Sequence, residues 1–92
     1  MYTVSPTPDS VSKELAQRHK SLRKQRRLTQ VELAERAGVS LGSLKRFEST
    51  GLISLESLLK LANVLNRLSD FNDVFRPKED KKALENLFTT KP

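Results

Sequence analysis

The chain has 92 residues, of which 36% are hydrophobic and 30% charged, and it carries a net charge of +6. A chain this short buries roughly 60–70% of its unfolded surface, enough for one small core and too little for a deep catalytic pocket. It has no cysteine, which excludes a disulfide framework and a thiolate-bound metal, and no apolar run approaches the roughly 18 residues that cross a bilayer.

The first ten residues, MYTVSPTPDS, lack the basic and apolar regions of an export signal, so a cytoplasmic location is expected. Residues 1–9 hold Pro6 and Pro8 without an apolar period and read as a flexible arm. Val11, Leu15, His19 and Leu22 then repeat at helical spacing, which predicts a first helix from Ser10 to about Arg27. Thr29 with Glu32 three residues on forms a capping-box pattern and opens a second helix with Val31, Leu33, Ala34 and Ala37 on its apolar side. Gly38 stops it, because glycine enters the left-handed conformation cheaply. Ser40 is a candidate cap for a third helix to about Ser49, with Leu44 and Phe47 inward.

Ser54 is a candidate cap for a fourth helix, where Leu55, Leu58, Leu59, Ala62 and Leu65 make a strong apolar stripe. Ser69 is a candidate cap for a short fifth helix with Phe71, Val74 and Phe75, closed by Pro77. No segment alternates like a strand. The expected fold is therefore all-α, a compact five-helix bundle over residues 10–76. Residues 77–92 form a tail in which Ala83, Leu84, Leu87 and Phe88 suggest one more short helix.

The charge is unevenly placed. Arg18, Lys20, Arg23, Lys24, Arg26 and Arg27 fall within ten residues without an acid, directly before the second helix. Such a block suits a polyanion, although a merely solvated helix face has the same composition. The next twenty residues show why the first reading is favoured. Ala34 is small where two helices would cross closely, Gly38 takes the turn, Val39 plugs its inside, and Leu44 and Phe47 return to the core. Such a pair holds its second helix outward, free to enter a major groove about 12 Å wide.

Over residues 18–66 the chain resembles the Cro/C1 (Xre) class of helix-turn-helix regulators, the phage-repressor class. The resemblance rests on Leu28-Thr29-Gln30, Leu33-Ala34, Gly38-Val39-Ser40, Leu44 with Glu48, and Leu58-Leu59-Lys60-Leu61-Ala62 through Leu65. It implies sequence-specific binding of double-stranded DNA. It implies that Gln30 donates to a phosphate at the helix start. It places base readers at Leu41, Gly42, Ser43, Lys45 and Arg46. Arg46 suits a guanine edge, Lys45 is a second candidate, Ser43 suits several bases, and Leu41 suits a thymine methyl. Phosphate contact alone is the plainer role for Lys45 and Arg46. Ser40 is either a cap alone or a cap that also reaches a phosphate. Gly42 departs from the long polar residue common in that class.

The resemblance also implies an ion pair between Arg23 and Glu48, which leaves Lys24, Arg26 and Arg27 as the phosphate candidates of the basic block. His19 reads as an ordinary helix-face residue. No metal or cofactor is expected, and no nucleophile has an obvious base partner, so an enzyme is not expected. Two copies would read an inverted repeat, and Leu65, Leu68, Phe71, Val74 and Phe75 are the candidate dimer surface, with simple core closure as the alternative. The stretches GVSLGSLKRFE and GLISLESLLKLANVLNRLSDFNDVF look most like the HipB-type antitoxins encoded beside HipA-type kinase toxins. That likeness implies an autorepressor that also binds a kinase-type toxin. A free-standing phage or plasmid repressor is the alternative, and a module for an acidic protein partner is the alternative of another class.

Overall fold

The computed structural model describes residues 5–78. Within them lie α1 (Pro8–Gln25), α2 (Gln30–Ala37), α3 (Leu41–Thr50), α4 (Leu55–Val64) and a 3-10 helix (Leu68–Asp73). The fold is all-helical, with five helices and no strand among the described residues. The tail segment holding Ala83, Leu84, Leu87 and Phe88 lies outside them.

The first helix starts two residues before Ser10. Thr7 caps it: its Oγ1 accepts the Ser10 N–H at 3.0 Å, and Ser10 Oγ accepts the Thr7 N–H at 2.9 Å. Pro8 sits at the first helical position, where its missing N–H costs nothing. The helix also ends early, at Gln25, because Arg27 adopts a left-handed φ of 58°. Its inward face is rotated from the expected one. Ala16, His19 and Arg23 are buried, while Val11 and Leu15 are 44% and 39% exposed. The packing of α1 on the end of α3 accounts for the rotation. Gly51 follows α3 at φ +83°, and a Cβ there would lie 2.9 Å from the Ser12 carbonyl carbon. Only a bare backbone lets the two segments approach so closely.

The second and third helices begin as expected. Thr29 and Glu32 cap each other reciprocally, at 3.0 and 2.9 Å. Gly38 takes φ 70°, ψ 32°, and the Val39 N–H closes the turn on the Ala34 carbonyl at 3.0 Å. Ser40 accepts the Ser43 N–H at 3.1 Å. This turn carries the chain from α2 into α3 while both stay packed on each other. Leu33, Ala34, Val39, Leu44, Leu61 and Leu65 form the core between α2, α3 and α4. Phe47 is also fully buried.

The fourth helix starts at its Ser54 cap and stops at Val64, with Asn66 left-handed at φ 59°. The last helix is a 3-10 turn beginning at Leu68, so Ser69 does not cap it. Arg67 occupies the cap position without a side-chain cap, and its guanidinium pairs with Asp70 at 2.8 Å. One member of the expected dimer surface is corrected here. Leu65 is 1% exposed and belongs to the core, because as the residue capping α4 it packs with Leu33 and Ala34 of α2 rather than facing solvent.

Candidate nucleic-acid interface

The site is built from the outward side of α3. Leu44 and Phe47 are buried on one side of this helix, which turns Gly42, Ser43, Lys45 and Arg46 to solvent on the other. Lys45 and Arg46 form no ion pair among the described residues, so their charges are available to a ligand. Ser40 is exposed and serves the turn: besides its capping bond, its hydroxyl donates to Ser43 Oγ at 2.8 Å. Leu41 is half-buried and packs against the core cluster, so only part of its side chain faces outward. Gly42 is exposed, and an added Cβ would meet nothing within 4 Å. Nothing among the described residues requires glycine there. Ser43 and Arg46, with Leu52, Ile53, Ser54 and Ser57, line a groove of about 400 Å³ beside the start of α4.

The basic block divides by role. Arg23 is buried and turned inward, where its Nε and Nη2 grip Glu48 at 2.9 Å each and its Nη1 donates to the Leu28 carbonyl at 2.9 Å. Arg26 donates through Nη1 to the Leu65 carbonyl at 2.6 Å, tying the end of α1 to the end of α4. That bond uses one of its five N–H donors, and the exposed guanidinium forms no ion pair among the described residues. Arg18 pairs with Glu14 on the helix surface at 2.9 Å. Lys20, Lys24 and Arg27 remain exposed and without an ion pair among the described residues.

Glu48 collects more than Arg23. His19 donates from Nδ1 to Oε2 at 2.8 Å, and Gln30 donates from Nε2 to Oε1 at 3.0 Å. His19 is not the ordinary helix-face residue expected: it is buried, and its ring meets Phe47 edge-on at 5.2 Å. A carboxylate only accepts, so the His19 proton sits on Nδ1, leaving Nε2 buried without a partner among the described residues. Burial pushes the His19 pKa below its usual 6.5. The Glu48 charge and hydrogen bond oppose that shift, while the Arg23 charge adds to it. Burial also pushes the Glu48 carboxyl up, but the bonds from Arg23 and Gln30 and the charges of Arg23 and His19 outweigh it, and its pKa falls below 4.5. The result is one buried anion holding α1, α2 and α3 together.

The spacing of His19 carried the missing signal. It stands four residues before Arg23 on the same face of α1, so a partner for one is in reach of the other. The Gln30 bond to Glu48 has no such local sign, since 18 positions separate the two.

A small residue at the crossing, a left-handed glycine turn and an outward basic helix now stand together in one unit. The helix-turn-helix family model matches residues 20–71. The chain belongs to the helix-turn-helix family. It is of the Cro/C1 type. As a helix-turn-helix protein it is a DNA-binding transcriptional regulator, and the matched domain is regulatory rather than catalytic. No curated protein matches the chain in sequence. No helix among the described residues is long and apolar enough to cross a membrane.

Proposed function

We propose that the protein is an autorepressor that binds an inverted-repeat operator as a homodimer. The observation that carries this reading is the outward face of α3, where Lys45 and Arg46 project from a helix anchored by Leu44 and Phe47. Arg46 reads a guanine edge and Lys45 supports it, with Ser43 and the outward part of Leu41 at neighbouring bases. Gly42 permits close approach. The free first N–H groups of α2, the Gln30 amide, Arg27 and Lys24 hold phosphates. Ser40 sets the start of α3.

A single reading helix gives too little discrimination, and two copies would place half-sites about 34 Å apart or a multiple of that. Exposed Leu68, Val74 and Phe75, with half-buried Phe71, support a dimer surface after α4. The finer role, an antitoxin that also binds a kinase-type toxin, is supported by the resemblance of residues 38–75 to HipB-type regulators. Selection from random duplexes tests the reading. Enrichment of a two-fold symmetric motif supports it, and retention without sequence preference counts against it. Co-purification with a kinase encoded beside the gene would support the antitoxin role. A neighbouring integrase or replication gene would point to a phage or plasmid repressor instead.

A further inference from the structure

Glu48 has four hydrogen-bond donors and almost no water, with 3% of its side chain exposed. Arg23 and His19 fill Oε2, and Arg23 and Gln30 fill Oε1. Two oxygens offer about four lone-pair sites, so the carboxylate is saturated. Because it cannot donate, Gln30 is obliged to turn its nitrogen toward Glu48, never its oxygen. An amide is planar and its two N–H bonds diverge. Holding one on Glu48 therefore fixes the other in a direction away from the carboxylate. Gln30 is half-buried at the first position of α2, beside backbone N–H groups that have no partner within the helix. Thr29 Oγ1 satisfies only the Glu32 N–H. The second Gln30 N–H makes no hydrogen bond among the described residues and is left for a ligand at the start of α2.

We propose that the buried His19–Glu48 pair is a positioning device for Gln30, which fixes the amide for a DNA phosphate although neither His19 nor Glu48 touches DNA. This rests on the DNA-binding reading above. His19 holds Oε2 from α1, opposite the Gln30 bond on Oε1, and its edge contact with Phe47 fixes its ring. Losing the His19 donor leaves Glu48 held by Arg23 alone on that side and loosens the amide that depends on it. A hydrogen bond set loosely gives back part of its modest net value.

The test is a double-mutant cycle on affinity for a mixed-sequence duplex at low salt, where phosphate contacts dominate. The full chain is used, and each variant is first shown to be folded by its thermal melt. Gln30→Ala is expected to weaken binding about three- to tenfold, the range of one net hydrogen bond. His19→Phe keeps an aromatic ring against Phe47 and removes the donor. It is expected to weaken binding about threefold beside Gln30 and to change nothing in the Gln30→Ala background. His19→Asn, whose amide nitrogen takes the place of Nδ1 and keeps an N–H for Glu48, is expected to restore the wild-type affinity. Should His19→Phe fail to fold, His19→Leu takes its place in the cycle. An equal loss in both backgrounds, or no loss in either, overturns the positioning role. A Gln30→Ala variant that binds as the wild type does also overturns it. Failure of the wild type to bind any duplex has a different meaning, since it removes the DNA-binding reading itself.

Discussion

Replacing Glu48 by alanine leaves Arg23 buried without its anion and His19 and Gln30 without an acceptor. Breaking a buried pair by removing one partner costs about 3–5 kcal/mol. A domain of about 70 residues has roughly 4–10 kcal/mol to lose. Glu48→Ala is therefore expected to remove about half of the stability or more, seen as a large fall in the midpoint of urea unfolding at unchanged slope. The origin of the loss can be separated from the loss itself. The triple substitution His19→Phe, Arg23→Met, Glu48→Leu removes the buried charges together and leaves only the Leu28 carbonyl short of a donor, while half-buried Gln30 can turn to water. Replacing a buried ionic group by apolar residues of similar volume is often neutral. The triple variant is expected to recover most of the loss. A Glu48→Ala cost below about 1 kcal/mol would mean that Arg23 does not depend on Glu48, since an uncompensated buried guanidinium cannot be that cheap.

Acid should destabilise the fold in two stages. His19 has a folded pKa below its unfolded value of 6.5, so the unfolded chain binds the extra proton first and stability falls as pH drops below about 6.5. Glu48 has a folded pKa below 4.5, so its contribution is present above that pH and is lost as pH falls through the lower folded value. Urea melts across this range should show both stages, and His19→Gln should abolish the upper one. The three glycines should separate in order. Gly51→Ala, with φ +83° and the Ser12 backbone 2.9 Å away, is expected to cost about 2 kcal/mol or more. Gly38→Ala, at φ +70° in open space, should cost about 1 kcal/mol, and Gly42→Ala should stabilise by about 0.5 kcal/mol. Equal melts for all three would contradict that order. Leu65→Ala should cost about 2–5 kcal/mol as a core truncation. Phe75→Ala should leave the melt of the monomer unchanged, because its side chain is 100% exposed, while sedimentation shows weaker self-association.

The reading unit was legible because its signals are local. Thr29 with Glu32, Gly38, and Ser40 with Ser43 place α2, the turn and α3 within a few residues of one another. The face of α1 was not legible. Val11 and Leu15 have the right spacing for a core stripe, but Gly51 draws Ser12, and not Val11, against α3. That contact joins positions 39 apart and leaves no periodic trace. The same holds for the bond from Arg26 to the distant Leu65 carbonyl, which has no local sign in the sequence. The apolar run after α4 was ambiguous by composition alone. Leu65 closes the core while Leu68, Val74 and Phe75 remain outside, a division set by the end of α4 at Val64. The polar network around Glu48 was half visible. Arg23 was reached through resemblance and His19 lies four residues before it on the same face, whereas Gln30 required the three-dimensional crossing of α2 and α3.

Parallel selection of random duplexes by the wild type and Arg46→Ala decides the proposed role of the outward face of α3 in reading base sequence. The expected result is an inverted repeat with half-sites about 34 Å apart or a multiple of that. Arg46→Ala should lose preference at one position of each half-site, by about 1–3 kcal/mol, with the rest of the motif retained. A wild type that enriches no motif, or an Arg46→Ala variant that enriches the same motif with the same preference at every position, would contradict it.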